Sequence, residues 1–528
     1  FFPSYLVAEA REQAVALFSR LGINTIMLDP SQTELGGVET RQDAKICAEL
    51  FRSHRDNIHG VVVLLPNFGD EKAIAETLRL SGLNVPVLIQ AEEDNLDKMG
   101  LSTRRDSFCG KISLCNNLRQ YGIPFTLTTQ HVCALSGEVF EQDLRRFTQI
   151  CRVVNSMRGV RVGAIGARPA GFNTVRYSEK LLERLGIAVE TLDLSEVFTR
   201  IKALRDDDIR VDEKRRLLID NADASGIPAD KLITMAKLFV VLSEWIVAND
   251  IDTTAIQCWT SLQENLGINV CSIMSVMSGQ LMPSACEVDV MGALSMYALA
   301  SSNLSPASIA DWNNNFGDDR DKCVLFHCGN FASASLESPH MGTADIIGTT
   351  VGKENTCGAV HGRMKSGALT YFRLSTDDLT GEIKAYVGEG QSVDDPLDTV
   401  GCRAVIQVPH HHCGGDGRAQ HSRHDNRQMD AAFGRDPAQP AGPQNIGQAQ
   451  NGQHHQQHNG PAGCIAPQSY RKGFGCLCRV EQHLSFCILH IDVIVIGVVI
   501  DGLIEIVLTI NGSQIFFTDA DAGVFDGN

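Results

Sequence analysis

The chain has little positive charge. Lys and Arg number 46 against 63 Asp and Glu, a formal net charge of −17, and the basic residues nowhere gather into a block. Such a surface repels a phosphate backbone, so nucleic acid is excluded as a partner and small neutral or metal-bound substrates fit better. The chain also lacks an uninterrupted apolar run of about 20 residues, the length of a membrane-spanning helix. Its most apolar stretch, Leu484 to Ile510, is broken by Asp492, Asp501 and Glu505, so no membrane association is expected. The opening Phe-Phe-Pro-Ser carries no Met and no readable signal peptide, and it reads as the remainder of a longer N-terminal segment. A disulfide framework is missing too. Through residue 402 the cysteines are scattered singly, and Cys47, Cys151, Cys258 and Cys271 sit in apolar runs. Reduced core thiols of a cytoplasmic protein are the expectation.

What is present is enough chain for about three domains, at roughly 150 residues each. The first 150 residues set short β-branched runs, Thr25-Ile-Met-Leu, Gly60-Val-Val-Val-Leu-Leu-Pro and Val85-Pro-Val-Leu-Ile, beside charged periodic segments, the βαβ rhythm of a parallel sheet. A helix ending near Met157 precedes a second such unit, Val160-Arg-Val-Gly-Ala-Ile-Gly166 followed by Ala188-Val-Glu-Thr-Leu. Helical, charged pattern fills about 205 to 250. From about 340 Gly-punctuated alternation predicts antiparallel β-structure, a sheet or barrel. The expected fold is α/β: two Rossmann-like parallel-sheet domains, 1–155 and 156–305, then a β-rich domain over 306–409.

Past residue 409 the character changes. About seventy residues rich in Gln, Asn, Gly, His and Pro follow, ten of the sixteen histidines lie between His410 and His490, and an intensely β-branched block begins at Ile491. No core can be built from the first part of that composition. The tail 410–528 is therefore expected to be disordered, or translated in a wrong reading frame. Cys476-Leu-Cys478 with Cys487 and His490 can be drawn as a zinc site, but CxC without a second spaced pair is weak support.

Chemistry concentrates in Pro283-Ser-Ala-Cys-Glu287-Val-Asp289-Val-Met-Gly-Ala-Leu, where two carboxylates sit among small apolar residues. A carboxylate buried there costs several kcal/mol, on the order expected for buried ions, unless a cation or a proton compensates it. Glu287 therefore asks for a metal or an acid/base role. Asp311 and His327 lie 24 and 16 positions further on, and Glu, Asp and His together make a hard, oxygen-rich divalent site. Glu287 follows a Gly- and Ser-containing loop, Ser275-Val-Met-Ser-Gly-Gln, and precedes a helix-like run from Met291 to Ala300, the kind of strand end where α/β sites form. A plain capping carboxylate is the competing reading.

Other features are weaker. Gly163-Ala-Ile-Gly166-Ala-Arg-Pro-Ala-Gly171 lacks the GxGxxG spacing of a dinucleotide site and reads as a strand-to-helix turn, from which Arg168 could face an active site, its own or a neighbouring subunit's. Trp259 could offer its face to a sugar ring or simply fill the core. Asp289 could orient a metal ligand from behind. His340 and His361 read as ordinary surface or core histidines.

Cys258-Trp-Thr-Ser-Leu, Gly267-Ile-Asn-Val-Cys271, Ser284-Ala-Cys-Glu-Val-Asp-Val-Met-Gly-Ala-Leu-Ser-Met, Asp311-Trp, His327-Cys-Gly and Gly401-Cys-Arg-Ala together resemble the L-fucose/L-arabinose isomerase superfamily, in particular its L-fucose isomerase-like members. The resemblance covers roughly residues 1 to 409. It implies an aldose–ketose isomerase acting on a hexose or deoxyhexose through an enediol, with Glu287 and Asp311 as acid/base pair and as ligands of Mn²⁺ or another divalent cation. His327 would be a third ligand; Trp259, Arg168 and Asp289 would serve the substrate. It implies a closed homo-oligomer as well. Fucose isomerases take their ligand histidine from far downstream, and nothing past residue 409 matches that closing segment; His410, His411 and His412 do not take the role. A catalytically impaired sugar-binding or scaffold homologue of the same fold is the alternative.

Overall fold

The computed structural model describes residues 5–100 and 102–408 and, as backbone strands, 493–498, 507–510 and 513–516. Three larger sheets follow one another along the chain, besides a two-stranded one near its end. The first is parallel and three-stranded, in the order β1 (Val61–Leu65), β2 (Val87–Ala91), β3 (Thr126–Leu127). β2 is buried along its whole length, as a central strand with both faces covered must be. The helix Glu138–Ser156 buries Phe140, Leu144, Phe147, Ile150, Cys151 and Val154. That 3–4 spacing lines one face of a helix, which packs on the sheet. Thr25-Ile-Met-Leu, expected as a strand, joins no ladder. Its anchoring is by side chains and one side-chain bond: Leu28 is buried, Ile26 packs on the core, and the Leu28 carbonyl accepts from the Arg11 guanidinium.

The second sheet is parallel, in the order β5 (Ala188–Leu192), β4 (Arg161–Ile165), β6 (Thr253–Ile256), β7 (Ser284–Cys286). Gly163 in β4 is required by close approach, since a Cβ there would stand 2.7 Å from the Trp245 ring. Ser275 to Gln280, expected as a loop, falls in and just after the helix Cys271–Gly279. Serines weaken helices when their hydroxyls compete for backbone. Here the hydroxyls bond elsewhere: Ser275 Oγ donates to the Phe331 carbonyl at 2.6 Å, and Ser278 Oγ accepts from the Ser284 N–H at 3.1 Å.

The third sheet begins at β8 (Ala307–Phe316) and continues through β9 (Asp319–His327), β10 (Leu336–Thr343), β11 (Cys357–Met364), β12 (Gly367–Asp377), β13 (Glu382–Val393) and β14 (Cys402–Gln407). Within the tail, β15 (Val493–Val498) lies antiparallel between β8 and β12, with Val493 opposite Asp311, and β16 (Val507–Ile510) pairs with β17 (Ser513–Phe516). The rest of the tail, including the stretch read as disordered or out of frame and the Cys476-Leu-Cys478 motif, lies outside the described residues. The order β14-β13-β12-β15-β8-β9 returns to its start through β9–β14 pairing, so these six strands close into a ring, with β11 and β10 added on β14.

The helix Val290–Asn303 sits where the second sheet meets this ring. It touches β6, β7, β8 and β12. Gln149 and Arg152 of Glu138–Ser156 bond to its C-terminal end at Asn303 and Ser302, at 2.7 and 2.6 Å. Among the described residues no helix is long and apolar enough to cross a membrane.

Candidate active site

β7 ends at Cys286, and the next two residues, Glu287 and Val288, turn the chain with φ of 61° and 56°. Left-handed backbone is uncommon for any residue with a Cβ and rarer still for a β-branched one; each such residue costs on the order of 1–3 kcal/mol. The turn is held by neighbours: Asp289 N–H donates to the Cys286 carbonyl at 3.0 Å, and Val288 N–H reaches the Ile256 carbonyl of β6 at 3.4 Å. It lifts Glu287 off the carboxyl end of a parallel strand, the position at which α/β sheets place their sites.

Asp289 then caps the helix Val290–Asn303, accepting from the Gly292 N–H at 2.8 Å. Its carboxylate is fully buried and receives two bonds from Arg373 of β12, at 2.5 and 3.0 Å. Both its oxygens are thus engaged by protein. It ties the strand-end turn to the ring of strands; its carboxylate is directed at Arg373.

Glu287 is 6 % exposed, and its Oε1 lies 4.0 Å from His327 Nε2 at the end of β9. Burial pushes the Glu287 carboxyl up to about 8, the His327 ring pulls against this, and the Asp311 carboxyl adds to the rise. At neutral pH Glu287 is therefore mostly protonated, and the 4.0 Å approach is not a formed ion pair. His327 is itself buried, which disfavours its charge, but Cys328, Asp311 and Glu287 outweigh that and hold the ring well above its ordinary value. His327 Nδ1 accepts from the Cys328 backbone N–H at 3.0 Å, and Nε2 has no partner among the described residues. A buried imidazole nitrogen aimed at a buried carboxyl and left without a hydrogen bond suits a ligand atom.

Asp311, half-buried on β8, acts electrostatically on both Glu287 and His327. The three sequence-chosen residues thus share one electrostatic neighbourhood, and Glu287 also has company in Cys258 and Cys286, whose ligand atoms and its own all lie within 4.8 Å of one another. Cys328 sits beside them: its thiol is 3.6 Å from His327 Nδ1 and interacts with the thiols of Cys271 and Cys286, which draw its pKa well below the usual thiol range.

Trp259 is partly buried after β6, its ring meeting Phe172 edge-on at 5.8 Å, and its Nε1 has no partner among the described residues. Arg168 bonds to the carbonyls of Pro169 and Phe172 at 3.1 and 3.0 Å, bracing the loop that carries Phe172. Sequence reasoning passed over Arg373, Cys328 and Asn330. Asn330 is fully buried with neither amide atom partnered among the described residues, and it follows His327 by three residues. Its proximity to His327-Cys-Gly was the available signal. Arg373 had none, because 84 residues separate it from Asp289.

With this geometry in place, the comparisons become informative. Residues 1–158 match the family described as fucose/sulfoquinovose isomerase, N-terminal domain, and residues 325–412 match L-fucose isomerase, C-terminal domain. Both matches support an L-fucose isomerase-like family member. It is similar to the sulfoquinovose isomerase of Priestia aryabhattai, 23% identical over 318 residues, 59% of this chain and 68% of the relative. The sulfoquinovose isomerase of Alkalicoccus urumqiensis is 24% identical over 338 residues, 62% and 72% of the two chains. That of Clostridium sp. (strain MSTE9) is 23% identical over 265 residues, 50% and 58%. The two family matches and the names of these relatives support a sugar isomerase.

Proposed function

We propose that this isomerase interconverts the aldose and ketose forms of a hexose or deoxyhexose through an enediol, and that it depends on a divalent metal. The supporting observation is the buried Glu287 carboxyl, raised to about 8 and set 4.0 Å from an unpartnered His327 Nε2. Moving a proton between C1 and C2 needs a group that takes it from carbon and returns it one atom away, and such groups work best with a pKa near the operating pH. Glu287 meets that requirement, and Asp311 is the second carboxylate of the pair.

The donor set fits a hard cation. Two carboxylates and one imidazole suit Mn²⁺ or Mg²⁺, and Glu287, Asp311 and His327 would hold it. When bound, such a cation supplies Lewis-acid stabilisation of the negative charge that develops on the two substrate oxygens. Ligation through Nε2 needs the His327 proton on Nδ1, which gives up the bond accepted from the Cys328 N–H at 3.0 Å and donates instead to the Cys328 sulfur at 3.6 Å. Trp259, with an indole N–H free of protein partners, is proposed to meet a sugar hydroxyl. Twelve free cysteines among the described residues support a reducing, cytoplasmic setting, and the family resemblance supports a homo-oligomer.

A second reading narrows the sugar to a sulfonated hexose, and the names of the relatives favour it. One experiment tests both. Metal-stripped protein reloaded with Mn²⁺ is incubated in deuterated water with L-fucose, L-arabinose or sulfoquinovose, and NMR follows ketose formation and deuterium entry at C2 of the aldose. Turnover of a single sugar identifies the substrate. Absence of ketose and of deuterium from every sugar, with one Mn²⁺ bound per chain, refutes the proposal.

A further inference from the structure

The isomerase chemistry uses Glu287 from the side that faces His327 and leaves its other neighbours without a task. Those neighbours are sulfur. Cys258 follows β6 by two residues and Cys286 ends β7, so adjacent parallel strands deliver two thiols beside the carboxylate, with all three ligand atoms within 4.8 Å of one another. Both cysteines are free and at most 1 % exposed. Cys328 extends the group, its thiol interacting with that of Cys286. A tetrahedral zinc site with Zn–S bonds of about 2.3 Å needs its donor atoms roughly 3.7 Å apart, a spacing this cluster reaches with small side-chain shifts.

We propose that Cys258, Cys286 and Glu287 form a thiophilic metal site that takes a soft divalent cation of the Zn²⁺ or Cd²⁺ class. Thiolates select such ions, whereas the oxygen and imidazole donors on the His327 side select Mn²⁺ or Mg²⁺. Binding releases two thiol protons and the Glu287 carboxyl proton to solvent in exchange for two metal–sulfur bonds and one metal–oxygen bond, with Cys328 a candidate for the fourth position. No oxidant or reductant is involved. Because Glu287 belongs to both donor sets, a soft cation held by the thiols withdraws the carboxylate from the hard-cation site; this consequence, unlike the thiol site itself, rests on the metal-dependent isomerase reading.

The test uses the full chain with Cys413, Cys464, Cys476, Cys478 and Cys487 changed to serine, which removes competing thiols beyond residue 409. The reduced, metal-stripped protein is titrated with Cd²⁺ alone and followed by thiolate-to-cadmium charge-transfer absorption. One Cd²⁺ per chain is expected. Cys258→Ser and Cys286→Ser should each weaken binding by about 100-fold, at least the loss seen when groups behind a metal ligand are removed. Asp311→Asn should leave the Cd²⁺ titration unchanged while abolishing the Mn²⁺ signal in electron paramagnetic resonance, which separates this site from the hard-cation one. Absence of the charge-transfer band, or a band unchanged in both cysteine variants, overturns the proposal. Should the serine variants not fold, the cadmium-113 chemical shift of the parent decides: a shift typical of two or more sulfur ligands supports the site, and an oxygen- and nitrogen-only shift overturns it. Cd²⁺ binding at the thiols in a chain that isomerises no sugar would leave the thiol site standing and refute only the isomerase reading.

Discussion

Glu287 Oε1 and His327 Nε2 face each other at 4.0 Å across the junction of a parallel sheet and a ring of strands, and neither nitrogen nor carboxyl is opened to bulk water. Glu287→Gln keeps the shape and removes the proton carrier. Turnover should fall by at least about 100-fold, the lower end of what general acid–base groups contribute. Stability should not fall. A carboxyl raised from 4.5 to about 8 on folding weakens the native state progressively as pH climbs through that window, so the glutamine variant should be the more stable one above pH 8. Steady-state kinetics and calorimetry at pH 6 and 8.5 read both effects; full activity in the variant sinks the acid/base assignment.

Mn²⁺ binding should tighten as pH rises toward 8. Ligation needs Glu287 ionised and His327 neutral, and both hold their protons above the ordinary range. Each proton displaced makes affinity rise by about tenfold per pH unit below the relevant pKa. Titrations followed by electron paramagnetic resonance between pH 6 and 8 should show this climb. Affinity that stays flat over that range contradicts the assigned ligands.

Arg373→Met should be strongly destabilising. It strands the fully buried Asp289 carboxylate, and breaking one side of a buried pair costs about 3–5 kcal/mol. Asp289→Asn combined with Arg373→Met removes both charges and should recover a large part of that loss. Urea unfolding of the two variants measures the difference; equal midpoints would mean that the pair is not coupled.

Gly292→Ala probes the same turn sterically. A Cβ at 292 would stand 2.5 Å from Asp289 Oδ2 and 2.6 Å from Ile309 Cδ1. Overpacking of this kind costs about 1–3 kcal/mol. The melting temperature should drop, and the KM for sugar should change less than kcat because the displaced group orients Glu287's turn.

His361 should make stability pH-dependent as well. Its ring is buried against His340 with centroids 5.4 Å apart, its Nδ1 accepts from Gly401 N–H at 2.8 Å, and burial followed by the charge of His340 holds it below the ordinary value of 6.5. The unfolded chain therefore binds the extra proton first as pH falls, and native stability is lost below about 6.5. His361→Asn, whose oxygen can replace Nδ1 as acceptor, should flatten unfolding midpoints measured between pH 7.5 and 5.5. An unchanged slope refutes the assignment.

What could be read from the chain followed the range of the interactions. β1, β2 and β4 announce themselves as apolar runs because a parallel strand covered on both faces has no polar alternation to hide it. Glu287 stood out because a charge among Ala, Cys and Val is conspicuous in one dimension. Ser275 to Gln280 misled because serine count says nothing about which hydroxyls find tertiary acceptors, and Thr25 to Leu28 misled because β-branching does not supply a neighbouring ladder. The left-handed pair at Glu287 and Val288 was illegible, since neither residue type favours that backbone. Arg373 belongs to the same class: its partner is fixed only once β12 lies against the helix Val290–Asn303.

The closure of β9 onto β14 also bears on how molecules of this protein meet one another. A ring of strands offers no exposed ladder, so among the described strands of the third sheet β10 alone lies at a margin where another chain's strand can add. That margin is already obstructed. Pro339 has no N–H to give, the register slips between Glu337 and His340, Ser338 sits at φ 44°, and the backbone of Asp223 takes the bonds from Met341 N–H at 2.7 Å and to the Pro339 carbonyl at 3.1 Å. Strand addition, the usual route by which β-rich domains aggregate, is thereby denied a template along the described length of this sheet.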